Sequence, residues 1–284
     1  MIRLDAPTVL LQWAVGGLLF LWVTTRGREV GIGYGWLVRG VYLVMALGAA
    51  ALGIWLDPVP VREVSALAVA GAAAVALGVS VVRRKAGVAG ERARLARRSA
   101  RVSAMTGIDR RPDGPDPDVA EFPPVLDLVA PLVGIPGLVA AGIAAGDPAL
   151  LSVARVLVGA AFLGAISDGM LLGHWYLVQP GLVRRPLLDM VRWTGIIWPF
   201  EIAVLLWPVG MVSVLDGTID DGYGGTLGWF WVACAVTTIG LVVVTRAALR
   251  ERYYSAVMAA TGLLYLAILT AFGTDLVARA VLAG

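Results

Sequence analysis

Apolar residues run along this chain in long blocks separated by short polar segments. A helix that crosses a hydrocarbon core of about 30 Å needs about 20 mostly apolar residues. Eight blocks fit that requirement: Pro7 to Thr24, Trp36 to Leu56, Val64 to Val82, Phe122 to Ala144, Ala149 to Val178, Leu187 to Leu215, Leu227 to Val244, and Tyr253 to Phe272. They are apolar nearly all round, so periodicity does not reveal which face is buried. The pattern predicts an all-α, polytopic helical membrane protein with about eight transmembrane helices. The first block has no small-x-small cleavage pattern after it and reads as a helix, not a signal peptide.

The polar segments set the organisation. Residues 1–82 hold helices one to three, 83–121 form one long basic loop, and 122–284 hold helices four to eight. If the odd-numbered loops share one side, that side carries 19 of the 23 basic residues, and Arg3, Arg62, Arg155 and Arg279 lie opposite. Positive loops stay in the cytoplasm. The expectation is therefore both termini outside, the long loop inside, and a bacterial cytoplasmic (inner) membrane as the location.

Within that loop, Val88, Leu95 and Val102 recur seven apart among Arg92, Arg94, Arg97, Arg98 and Arg101. This suits an amphipathic helix on anionic lipid, with those arginines touching the surface. The plainer alternative is a solvated extension of the third helix. The stretch from Asp113 to Glu121 is proline-rich and acidic, which predicts a mobile segment.

Composition narrows the function classes. Of 284 residues, 59% are hydrophobic and 15% charged, and the mean hydropathy is +0.82. This excludes a disordered chain. The single Cys234, inside the seventh block, excludes a disulfide scaffold and a lipidation box. One Cys and one His exclude a cysteine-based zinc site. Nucleic acid is not an expected partner, because the arginines sit between apolar blocks. The expected partners are the lipid bilayer and other membrane subunits.

Candidate chemistry concentrates in blocks five and six. Ionisable groups inside a bilayer cost roughly 2.5–3.5 kcal/mol each on insertion scales and often mark function. Counting from the intervening loop, Asp168 lies about 17 Å and Glu201 about 20 Å from the inner boundary, so both are expected near mid-membrane on adjacent helices. With Ser167, they are candidates for a shared proton or cation site; alternatively, each bonds a different helix and fixes packing. His174, about 8 Å in and level with Gly195, has Trp175 and Tyr176 beside it. These four are candidates for contact with a quinone; the alternative is an interfacial aromatic belt. Haem is disfavoured because His174 has no second histidine to pair with.

Other residues read as structural. Asp189 and Arg192 suit a local ion pair, Asp127 sits near a helix N-terminus, and Arg155 can snorkel. Pro131 and Pro136 mark a broken-helix candidate. Gly71 to Gly78 and Gly159 to Gly164 suit close helix packing. No sequence repeat relates helices one to four with five to eight. Nucleotide-binding loops, HExxH and a nucleophile elbow are absent, and catalysis is not expected. In helix count the chain resembles quinol-oxidising membrane subunits of the polysulfide-reductase type. Three readings follow: a membrane subunit of a redox or energy-coupling complex handling a quinone or protons, a small-solute or ion transporter using buried carboxylates, and a structural or assembly protein.

Overall fold

The computed structural model describes residues 5–107, 120–146 and 148–282. Ten α-helices occur among them: α1 Ala6–Thr25, α2 Ile32–Leu56, α3 Pro60–Val82, α4 Ala89–Thr106, α5 Leu126–Ala144, α6 Ala149–Val178, α7 Arg185–Leu206, α8 Gly210–Leu215, α9 Thr226–Ala248 and α10 Tyr254–Leu282. Seven of these (α1, α2, α3, α5, α6, α9 and α10) are long and apolar enough to cross a membrane. The fold is that of a multi-pass helical membrane protein, and its outer surface fits lipid: Trp55, Val82 and Leu150 are each more than 80% exposed.

The expected count of eight is met in part. α7 has the length of a span, but Asp189, Arg192 and Glu201 interrupt its apolar run. The predicted helix from Leu187 to Leu215 is two helices. Pro208 lacks an N–H and pushes Trp207 into extended backbone (φ −83°, ψ 144°), which ends α7 before α8 begins. By contrast, α5 runs unbroken through Pro131 and Pro136.

The helices pack as two groups of four in the same order. α1 touches α2 and α5, and α3 bridges those two; α6 touches α7 and α10, and α9 bridges those two. The groups meet along α1–α6 and α5–α6. This repeat of packing order is invisible in the sequence. At the seam, a Cβ on Gly16 would lie 1.7 Å from the Ala160 carbonyl oxygen, and one on Gly164 would lie 2.2 Å from the Gly16 carbonyl carbon. Gly71 and Gly78, expected to serve close packing, have no neighbour within 4 Å of an added Cβ.

α4 buries no residue. Its first turn is pinned to the bundle: the Gly90 N–H donates to the Arg28 carbonyl (2.9 Å), and Arg92 and Arg28 both pair with Glu121. Arg97, Arg98 and Arg101 are exposed, and Arg92 and Arg94 half-buried. Most of the segment expected to be mobile, 113–119, lies outside the described residues, as do Arg110 and Arg111.

Candidate functional site

The residues singled out in the sequence fall into separate neighbourhoods. Asp168 is fully buried on α6; one carboxyl oxygen accepts from the Tyr42 hydroxyl of α2 at 2.6 Å, and the other has no partner. The Tyr34 hydroxyl donates to the Asp168 carbonyl at 3.3 Å. Ser167 accepts from the Trp13 indole of α1 at 2.8 Å. Glu201 on α7 is also fully buried, but its charged neighbours are Asp275 and Arg279 of α10 and Arg155 of α6, not Asp168.

Helix register explains the separation. Gly169 faces Met190 across α6 and α7, and the Arg155 guanidinium donates to the Val204 carbonyl at 2.9 Å. Asp168 is thus level with Val191, and Glu201 with Val158, an offset of ten residues or about 15 Å along the axis. The expected equal depth assumed that both helices stop at the same height. Instead α6 overshoots the start of α7, and the connection folds back along it, with the Tyr176 hydroxyl donating to the Val183 carbonyl. Glu201 therefore lies five residues before the end of α7.

His174 is exposed, four residues from the end of α6, with its Nδ1 3.2 Å from the Tyr265 hydroxyl of α10. Trp175 turns the other way, its indole donating to Gln179 at 3.1 Å and its ring 6.2 Å from Tyr34. Tyr176 is buried. Gly195 faces Val242 of α9. Asp189 pairs with Arg185 at 4.0 Å, not with Arg192; the i,i+4 partner lies behind it on the helix.

Sequence reasoning missed the other members of the buried group around Glu201. Asp275 is fully buried and accepts two bonds from the Arg279 Nε, at 2.8 and 2.9 Å, while Gln12 of α1 donates to it at 3.4 Å. Arg279 Nη2 donates to the Arg155 carbonyl at 2.8 Å. Both Glu201 carboxyl oxygens are buried without a hydrogen-bond partner. Gly159 makes room: a Cβ there would lie 2.3 Å from Gln12 Nε2 and 2.6 Å from both Arg279 Nη2 and Asp275 Oδ1. The expected last helix stopped at Phe272, which left Asp275 and Arg279 outside it. Their i,i+4 spacing and the apolar residues running on to Leu282 were the available signal.

A cavity of about 90 Å³ opens beside this group, lined by residues of α1, α6, α7 and α10, with Ala145 at the end of α5. It lies where the two four-helix groups meet. Arg155 lines it, and its Nε and Nη2 donate to the carbonyls of Val204 and Trp207 at the end of α7, at 2.9 and 2.8 Å. Next to the cavity, Arg62 is saturated by Glu63, Asp5, Thr8 and the Asp57 carbonyl.

A second buried pair holds the first group together at its other end. Arg39, near the start of the second expected helix, is 2% exposed and binds Asp127 through two bonds of 2.7 and 2.8 Å. Thr25 and Ser80 complete the hydrogen bonding, and the Phe122 ring lies 4.2 Å from the guanidinium carbon. Every polar atom here has a partner within the protein, so this pair is a clamp between α2 and α5.

No protein-family model, no curated protein and no solved structure matches this chain.

Proposed function

We propose that this chain is a transporter of the bacterial inner membrane that moves a small solute together with a proton. In this reading α7 is the eighth span, both termini lie outside, and the basic end of the bundle with α4 faces the cytoplasm. The observation that carries the proposal is Glu201: a fully buried carboxyl group that no donor of the protein reaches, beside a second buried carboxylate, Asp275, that already has its own cation. Two neighbouring carboxylates in a medium of low dielectric do not both ionise cheaply, so the pair is suited to take up a proton. The cavity opens beside them, lined by Arg155 and Arg279, the two cations that act on Glu201.

The packing repeat supports transport over a purely structural role. Parallel repeats are a common build for secondary transporters, whose sites lie at the repeat interface. The Glu201 group lies at that interface, between α1, α6, α7 and α10. Infrared titration of the purified protein tests the proton. A carboxylic-acid carbonyl band that grows as the pH is lowered is expected in wild type and lost in Glu201→Gln. In proteoliposomes with a trapped pH dye, a small solute of the right class should discharge a pH gradient. Absence of a Glu201-dependent band would overturn the reading.

A second reading, a membrane subunit of an energy-coupling complex that contacts a quinone, rests on the exposed His174–Tyr265 pair. An imidazole and a phenol 3.2 Å apart on the lipid-facing flank would present a hydrogen bond to a quinone carbonyl. Quinone retained by wild type and lost in His174→Leu would favour it.

A further inference from the structure

Resting on the proton-handling reading of Glu201, we propose that the cavity at the acidic end of the bundle binds a small monocarboxylate on Arg155, and that this anion binds together with the Glu201 proton. The argument begins with the cations. Arg279 is neutralised by Asp275 at 2.8 Å, and Arg62 by Glu63 and Asp5 at 2.8 and 3.1 Å. Arg155 alone of the three forms no ion pair, and two of its nitrogens donate only to carbonyls. Its Nη1 has no protein acceptor among the described residues. Arg155 lines the cavity beside Ser152, so its unused donors can serve an anion bound there.

Charge balance then couples the anion to the proton. The groups that act on Glu201 are Asp275 and Arg279 from α10 and Arg155 from α6, with the uncharged Gln12 of α1 bonded to Asp275. With the cavity empty, an ionised Glu201 is the charge that balances Arg155, though without a hydrogen bond. Once a carboxylate pairs with Arg155, two cations face three anions unless Glu201 takes up a proton. Anion binding therefore favours proton binding, and linkage makes the effect reciprocal.

The size and lining of the cavity set the ligand class. A space of about 90 Å³ with one spare guanidinium suits a single carboxylate. Val9, Val156, Leu205 and Leu282 line the remainder, and an alkyl chain of a few carbons fits them. The nearby Asp5 and Asp275 disfavour a multiply charged anion.

Butyrate is the probe, with butyramide as its uncharged counterpart. Calorimetry of the purified protein in buffers of different ionisation enthalpy is expected to show butyrate binding with uptake of one proton, and no binding of butyramide. Arg155→Gln should lose roughly tenfold to a hundredfold in butyrate affinity, the worth of one charge-assisted hydrogen bond. Arg155→Lys retains the charge and should lose less, which separates a lost site from a lost fold. Glu201→Gln should still bind butyrate but without proton uptake. No butyrate binding by wild type, equal binding by Arg155→Gln, or binding without proton uptake would each overturn the proposal. The Glu201 infrared band, measured without butyrate, reports the parent reading separately: it can stand while the anion site fails.

Discussion

Gly16 of α1 and Gly164 of α6 meet backbone to backbone, so that a Cβ added to Gly164 would lie 2.2 Å from the Gly16 carbonyl carbon. This contact sets the distance between the two four-helix groups. It also fixes how closely Gln12 and Trp13 approach Asp275 and Ser167. Gly164→Val should force the groups apart and destabilise the protein by about 1–3 kcal/mol or more. Gly71→Val, whose Cβ position meets nothing, should be close to neutral. Thermal unfolding in detergent would compare the two, and equal behaviour would mean that the seam is not a close contact.

The Arg39–Asp127 clamp makes an asymmetric prediction. Asp127→Ala leaves a buried guanidinium with only Ser80 and an aromatic face, and should cost about 3–5 kcal/mol. Replacing both by apolar residues, Arg39→Met with Asp127→Leu, should recover much of that loss. A double variant less stable than the single one would show that the pair does more than clamp.

Glu121 gathers Arg28 and Arg92, and this holds the start of α4 against the bundle. The pairs are partly exposed, so Glu121→Ala should cost no more than about 1 kcal/mol of global stability. Its local effect should be larger. Hydrogen exchange of the amides from 89 to 94 should speed up, while exchange in α2 stays unchanged. Unchanged exchange in α4 would mean that the Gly90 N–H bond to Arg28 suffices.

Asp221 ties the loop before α9. Its carboxylate accepts from the N–H groups of Gly225, Tyr223 and Leu227, at 2.9, 2.9 and 2.8 Å. Those bonds, the one from Gly225 first, hold its pKa below the ordinary carboxylate value. A depressed folded-state pKa contributes stability above the unfolded-state value, near 3.9, that is lost as pH falls through the folded-state value. The protection factor of the Leu227 amide, its slowing relative to an unstructured amide at the same pH, should therefore fall as the pH drops below about 4, and Asp221→Asn should lower it at neutral pH too. A flat pH response in wild type would sink this account.

Much of the fold was legible because span length and apolar content are local properties. The boundaries of α2, α3, α5 and α6 lie within a few residues of the expected ones. What was not legible depended on how helices lie against one another. Asp168 and Glu201 sit at similar distances in sequence from the α6–α7 connection, yet the fold-back of that connection slides them about 15 Å apart. Arg39 and Arg62 counted only toward the charge of the two sides, because nothing near them in sequence announces that Asp127 or Asp5 waits in space. Asp275 was hidden by a helix boundary placed too early. Among the residues chosen for chemistry, Glu201 lies in a buried polar group whose other members come from α1, α6 and α10.

α6 and α10 have 30 and 29 residues, about 45 Å of helix, against a hydrocarbon core of about 30 Å. An upright pair would leave about 7 Å at each end among headgroups. Arg155, six residues into α6, is then about 9 Å from the helix start and sits just at the hydrocarbon edge. Bilayer thickness thus becomes a control on the cavity. In a thin bilayer Arg155 stands in hydrated headgroups and its charge is screened; in a thick one, or with the pair tilted, the guanidinium is drawn below the boundary and Glu201 becomes its main counter-charge. Reconstitution into lipids of graded chain length would move the protein along that scale without changing a residue.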